Sequence, residues 1–168
     1  DELEKRKLVT GAVGVYGFSY GAATALQWAG HDARVKAVVA LAPFQDMRSV
    51  VRNFVRVFVP VSYLTLTDQQ INELIDAGAL QARFNPDEAS PLAAIQRTTA
   101  PVLLVHGEAD RMIPVTHSRN IHAARKEGTQ LITVAGVGHV GLFFDPDGTV
   151  RKTVPAWLDK HLATPAPR

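Results

Sequence analysis

The sequence predicts an α/β fold: a parallel sheet with flanking helices. Short runs rich in Val, Ile and Leu alternate with stretches of helical pattern, the order that a parallel sheet with crossover helices produces. The run at residues 35–42 is apolar apart from Lys36, as strands buried on both faces are. With 168 residues, 46% hydrophobic and 20% charged, the chain is long enough for one domain with a sizeable core.

The first strand is expected over residues 12–18, rich in valine and aromatics, and a helix follows over about 21–30, ending at Gly30. The second strand takes 35–42, a third 101–106 and a fourth 130–135. Between the last two, residues 114–127 read as a helix, with Pro114 at its start and Gly128 after its end. A final helix over 149–162 is expected to kink or restart near Pro155. The tail 163–168 reads as a frayed end. Residues 44–97 break the rhythm. They are too long for a plain crossover, and they hold a mixed aromatic, β-branched and arginine stretch at 47–59. A helical stretch follows at 68–79, opening with Thr67-Asp68-Gln69-Gln70, and a short helix begins at Ser90-Pro91. We read 44–97 as a helical cap inserted into a single domain.

Bulk properties exclude several functions. The 18 Lys and Arg against 16 Asp and Glu leave a net charge of +2, with basic residues scattered apart from a mixed run at 4–7, so neither nucleic acid nor a membrane is an expected partner. No apolar run is long enough to span a bilayer, and no signal peptide is visible in a chain that opens at Asp1. The absence of cysteine removes disulfides, thiolate metal sites and a cysteine nucleophile; it fits a reducing compartment and favours the cytoplasm. His117 and His122 are five apart, poor spacing for one helical face, and no histidine pair has metal spacing with a third ligand. Neither a metal nor an organic cofactor is expected.

The sharpest local signal is Gly17-Phe18-Ser19-Tyr20-Gly21, where a strand ends and a helix begins. This is the setting of a nucleophile elbow, in which a strained turn lifts a serine hydroxyl above the sheet and glycines relieve crowding on either side. A serine hydroxyl is a poor nucleophile until a general base takes its proton, and the base needs a third group to orient it. Asp110 lies in the loop after the third strand, within His106-Gly107-Glu108-Ala109-Asp110-Arg111-Met112-Ile113-Pro114. His139 lies in the loop after the fourth strand, within Gly136-Val137-Gly138-His139. Loops after the carboxyl ends of parallel strands gather at one edge of the sheet, so these three distant residues have a route to one another.

Taken together, these motifs resemble the α/β-hydrolase superfamily, in its prolyl oligopeptidase and dienelactone hydrolase-like branch. The resemblance runs from about Ala12 to Leu162. It implies Ser19 as nucleophile, Asp110 as acid and His139 as base. The backbone N–H of Tyr20 would be one oxyanion donor, with Gly17 and Gly21 as elbow glycines. Glu108 is a rival acid, as is Asp46 after the second strand, which reads better as the root of the cap. Asp145 reads as a turn residue before Pro146. His106 reads as a partly buried structural histidine, His117 and His122 as incidental surface residues on a helix, and His31 and His161 as helix-end residues.

The strands match the second half of the family's sheet. The loop that supplies the second oxyanion donor belongs to the first half, so the chain is expected to be a fragment of a longer protein. The open edge of the first strand would then pair with the missing amino-terminal half or with a second copy of this chain. The implied function is a serine hydrolase acting on a small-molecule ester or a peptide-type carbonyl through an acyl-enzyme. Thioesters and acyl transfer to acceptors other than water remain open. The alternative is a truncated, non-catalytic module that binds a ligand or partner. Phe54, Val55, Phe58, Val59 and Tyr63 are candidates for an apolar pocket, although packing of the cap against the core is the expected role of most of them.

Overall fold

The computed structural model describes residues 2–9, 11–59, 61 and 65–163. Tyr63 and the tail beyond Ala163 lie outside the described residues. The elements run α1 (Glu2–Lys5), β1 (Val13–Phe18), α2 (Tyr20–His31), β2 (Val35–Leu41), α3 (Met47–Phe58), α4 (Asp68–Ala82), α5 (Pro91–Ala94), β3 (Val102–Gly107), α6 (Thr116–Ala124), β4 (Thr129–Val134), α7 (His139–Phe144) and α8 (Thr149–Leu162).

The four strands form one parallel sheet in the order β1-β2-β3-β4. Side chains alternate across a strand, and here both faces are covered. Val38 and Ala40 pack with Ala25, Leu26 and Ala29 of α2, and with Ile121 of α6. Val39 and Leu41 pack the opposite way, toward Leu142 of α7 and Val150, Val154 and Leu158 of α8. Small residues set the spacing: a Cβ on Gly30 would lie 2.7 Å from the Ala94 carbonyl oxygen, so α2 and α5 meet where only glycine fits. β1 is an edge strand, and Tyr16 on it is exposed.

Among the described residues, α3, α4 and α5 lie between β2 and β3. Thr67 and Gln70 form a reciprocal capping box at the start of α4. Asp46 caps α3 by accepting from the Ser49 N–H at 2.7 Å. Arg48 joins the segment to itself through Asp76 at 2.8 Å and Asp87 at 2.6 Å. The first part of α3 is anchored: Val50 is buried, and Met47 and Val51 pack with it against Phe44, Ala23 and Ile113. The rest overhangs. Phe54, Phe58 and Val59 are exposed, so packing against the core is not their role. At the other end of the segment, Pro91, Ala94 and Ile95 are buried, and Ala94 sits against α2, so the stretch after Ser90 belongs to the layer beside α2.

One expectation about helices is narrowed and another is corrected. α8 runs from Thr149 to Leu162 as one helix with Pro155 inside it, and does not restart. Its amphipathic face on the sheet outweighs the one backbone hydrogen bond that proline removes. The helix read over 114–127 is shorter: Pro114 stays in the preceding turn and accepts from the His117 N–H, while Arg125 leaves the helix and donates to the Ala100 carbonyl at 2.9 Å. Two short helices, α1 and α7, had no sequence signal. α7 contains Gly141 and has no side-chain cap at Gly138, so its formation is a tertiary effect.

Candidate active site

Each part of the site stands at the carboxyl end of a strand. β1 ends at Phe18, and Ser19 takes φ 56° and ψ −119°, far from the helical and extended regions. That strain is held by a bond from the Ser19 N–H to the Leu41 carbonyl at 2.7 Å, which ties the turn to the end of β2. The Ser19 carbonyl then accepts from Ala22 and Ala23, starting α2. Gly17 is where the turn closes on itself. A Cβ there would lie 2.1 Å from the Gly21 carbonyl oxygen. Gly21 is different, because nothing lies within 4 Å of a Cβ built on it. The expectation that both glycines relieve crowding therefore holds for Gly17 and is corrected for Gly21, since the helix doubles back over one side of the turn only.

The loops after β3 and β4 are bound to each other. The Glu108 N–H donates to the Val134 carbonyl and the Ala109 N–H to the Val137 carbonyl, both at 2.9 Å. A Cβ on Gly107 would lie 2.2 Å from that same Val137 oxygen, so the two loops touch through bare backbone. Gly136, with φ +71°, turns the second loop back toward the first. Gly107 was visible in the His-Gly-Glu-Ala-Asp run, but its reason for being glycine lies on a different strand.

This brings Asp110, His139 and Ser19 into one hydrogen-bonded line. His139 Nδ1 is 2.6 Å from Asp110 Oδ2, and His139 Nε2 is 2.8 Å from Ser19 Oγ. The second carboxylate oxygen, Oδ1, accepts from the backbone N–H groups of Met112 at 2.9 Å and Ile113 at 2.8 Å. Burial acts to raise the pKa of Asp110. It is outweighed by hydrogen bonds from His106, His139 and the Ile113 N–H and by the nearby imidazole, which together bring it down to about 2. The carboxylate is ionised and can only accept, so His139 donates to it from Nδ1, and its Nε2 faces the serine hydroxyl. Exposure rises along the line: Asp110 and His139 are buried and Ser19 is half-buried. Phe18 lies over the imidazole, ring centroids 5.0 Å apart, and Phe143 lies beyond it, exposed. On the other side Tyr20 packs on Phe44 at 5.9 Å, and these two line a recess of about 150 Å³ with Met47 and Pro91.

The rival residues lie elsewhere. Glu108 is exposed and accepts from the Thr133 hydroxyl at 2.8 Å. Asp46 is spent on the cap of α3. Asp145 does more than turn the chain: from a left-handed conformation it accepts from the N–H groups of Val150 at 2.7 Å and Arg151 at 3.0 Å, starting α8. His106 is fully buried rather than partly, because β3 is central and α6 closes over its end. His117 is also buried, which corrects the surface reading. Its Nδ1 accepts from the Gln45 N–H at 3.2 Å and its Nε2 meets Asn53 at 2.8 Å, and burial lowers its pKa. Helical spacing alone could not show that the segment after β2 folds back over that face of α6. His31 ends α2 and His161 stands in the last turn of α8, its ring tilted against that of Trp157. Among the described residues, no group of three or more His, Cys, Asp or Glu is placed to hold a metal ion, and no helix is long and apolar enough to cross a membrane.

A parallel sheet, a strained serine at a strand–helix turn and a buried Asp–His pair behind it define an α/β-hydrolase fold. The chain belongs to the prolyl oligopeptidase family, which it matches over residues 1–164. An uncharacterized protein of Bacillus subtilis, YqkD, is 30% identical over 155 residues, covering 89% of this chain and 48% of that protein. The chain thus spans about half the length of this curated relative. Among solved structures, a puromycin-hydrolyzing peptidase of Mycobacterium tuberculosis superposes with a TM-score of 0.70 at 23% identity, over 96% of this chain and 24% of that one. The esterase domain of a Rhodothermus marinus protein gives 0.66 at 16% identity, over 95% and 65%. An acylaminoacyl peptidase of Pyrococcus horikoshii gives 0.65 at 15%, over 99% and 26%. These likenesses establish the fold, and the family is one of hydrolases.

Proposed function

We propose that this chain carries the reacting groups of a serine hydrolase that cleaves ester or peptide-type carbonyl bonds. The observation that supports this best is the unbroken line from Asp110 Oδ2 through His139 to Ser19 Oγ, with each link within hydrogen-bond distance. Ser19 Oγ attacks the carbonyl carbon while His139 Nε2 takes the hydroxyl proton. Asp110 keeps the imidazole in its Nδ1–H tautomer and offsets the positive charge that forms on it. The carbonyl oxygen becomes an oxyanion, facing the backbone N–H of Tyr20. As the first residue of α2, Tyr20 has no carbonyl one turn back to satisfy that N–H. His139 returns the proton to the leaving oxygen or nitrogen, leaving an acyl group on Ser19, and water repeats the sequence to release it.

Peptidases and esterases both occur among the structural neighbours, and the apolar side chains of Phe18, Tyr20 and Phe143 suit a hydrophobic group beside the carbonyl in either case. The test is labelling by a fluorophosphonate, which reacts only with an activated serine hydroxyl, with Ser19→Ala as the control. Labelling lost in the mutant supports the proposal. A folded chain that does not label would leave the fold standing and refute catalysis by this chain, favouring a module that only binds.

A further inference from the structure

We propose that His106, which no step above uses, is a positioning residue that fixes the Asp110 carboxylate and its loop; the proposal rests on the reading of Asp110 as partner of His139. His106 ends β3 but for Gly107, and its imidazole is fully buried. Its Nε2 is 2.7 Å from the Ile113 carbonyl oxygen and 3.3 Å from Asp110 Oδ2. Its Nδ1 is 2.7 Å from the hydroxyl of Ser118, itself fully buried on α6. Two neighbours of Nε2 are a carbonyl oxygen and an ionised carboxylate, and neither has a proton to give. Nε2 therefore carries the hydrogen, and Nδ1 accepts from the Ser118 hydroxyl.

That tautomer acts on Asp110 twice. The Nε2–H donates to the Ile113 carbonyl, while the N–H of the same residue donates to Asp110 Oδ1, so His106 clamps the residue that supplies one of the carboxylate's donors. The longer contact to Oδ2 places the same N–H beside the oxygen that His139 uses. Oδ1 has Met112 and Ile113, and Oδ2 has His139 and His106, so a rotation of the carboxylate would break contacts on both oxygens. Ser118 connects this arrangement to α6, giving the acid loop a rigid support outside itself.

Two substitutions separate positioning from packing. His106→Gln puts an amide donor near the Nε2 position, and His106→Asn reaches only toward Ser118. Long-range proton–nitrogen NMR of the imidazoles in the wild-type chain reads the tautomer without any activity: a proton on Nε2 of His106 is expected, and one on Nδ1 only would overturn the proposal. The Nδ1–H of His139 should give a low-field proton resonance that is retained in His106→Gln and shifted or lost in His106→Asn. An unshifted resonance in a folded His106→Asn chain would overturn it as well. Fluorophosphonate labelling should fall by about 100-fold in His106→Asn, as for a misplacement of about 1 Å. It should recover in His106→Gln, and His106→Asn should add no loss in an Asp110→Asn background. Independent losses in that background would mark His106 as structural only. If the wild-type chain does not label, the hydrolase reading fails, and the two NMR readouts decide the role of His106 by themselves.

Discussion

Alanine at Gly17 and alanine at Gly21 are the same chemical change on the two sides of one serine, and the structure predicts opposite results. At Gly17 the new methyl would stand 2.1 Å from the Gly21 carbonyl oxygen, 2.3 Å from its carbon and 2.6 Å from the Ala22 nitrogen. Carbon and oxygen rest at more than about 3 Å, so α2 must move by roughly 1 Å relative to β1. All the obstructing atoms are backbone, so no rotamer change relieves them. Overpacking of this kind costs about 1–3 kcal/mol, or about 2–12 °C in melting temperature for a chain of this size. The same shift carries Ser19 off the His139 nitrogen, and a misplacement of about 1 Å costs on the order of 100-fold in rate. At Gly21 the methyl enters open space within α2, where Ala is the better helix former, so a gain of about 0.5–1 kcal/mol is expected. Melting curves and fluorophosphonate labelling of both variants, side by side, make the comparison. Equal stability and labelling in Gly17→Ala and wild type would refute the reasoning, because it would mean that the elbow is not closed as described.

Two further outcomes follow from the same contacts. Because the Asp110 pKa is lowered in the folded chain, to about 2, its ionised form contributes stability that is complete above the ordinary carboxylate value near 4 and is lost as pH falls through about 2. Asp110→Asn should flatten the fall in stability between those values, measured by denaturant unfolding at each pH, and should slow labelling by on the order of 10³–10⁴-fold at neutral pH. Removal of the Asp145 carboxylate in Asp145→Ala leaves two N–H groups at the start of α8 without their acceptor, and should cost about 1–2 kcal/mol in urea unfolding; Asp145→Asn, which keeps an acceptor and tolerates the left-handed conformation, should cost less.

What the sequence determined by itself was the order of the strands and of the longer helices, together with three candidate residues whose loops that order brings to one edge. The apolar runs at 35–42 and 101–106 read as buried strands, and Gly-Phe-Ser-Tyr-Gly at a strand–helix junction pointed to one serine among the rest. Asp110 and His139 were legible because each follows a strand, and parallel strands deliver their following loops to one edge. The tertiary structure decided what depends on elements distant in the chain meeting. Gly107 is glycine because Val137 lies against it, and Gly30 because Ala94 does, while a Cβ on Gly21, inside the motif, would meet nothing within 4 Å. His117 looked like a surface residue until the segment after β2 covered it, and His106 looked like a partly buried structural histidine until Ser118 and Ile113 closed around its two nitrogens. Periodicity and spacing report which face of an element a residue occupies. Only the packing of elements shows what stands opposite that face, and at this site the facing atoms are mostly backbone, which leaves no trace in side-chain pattern.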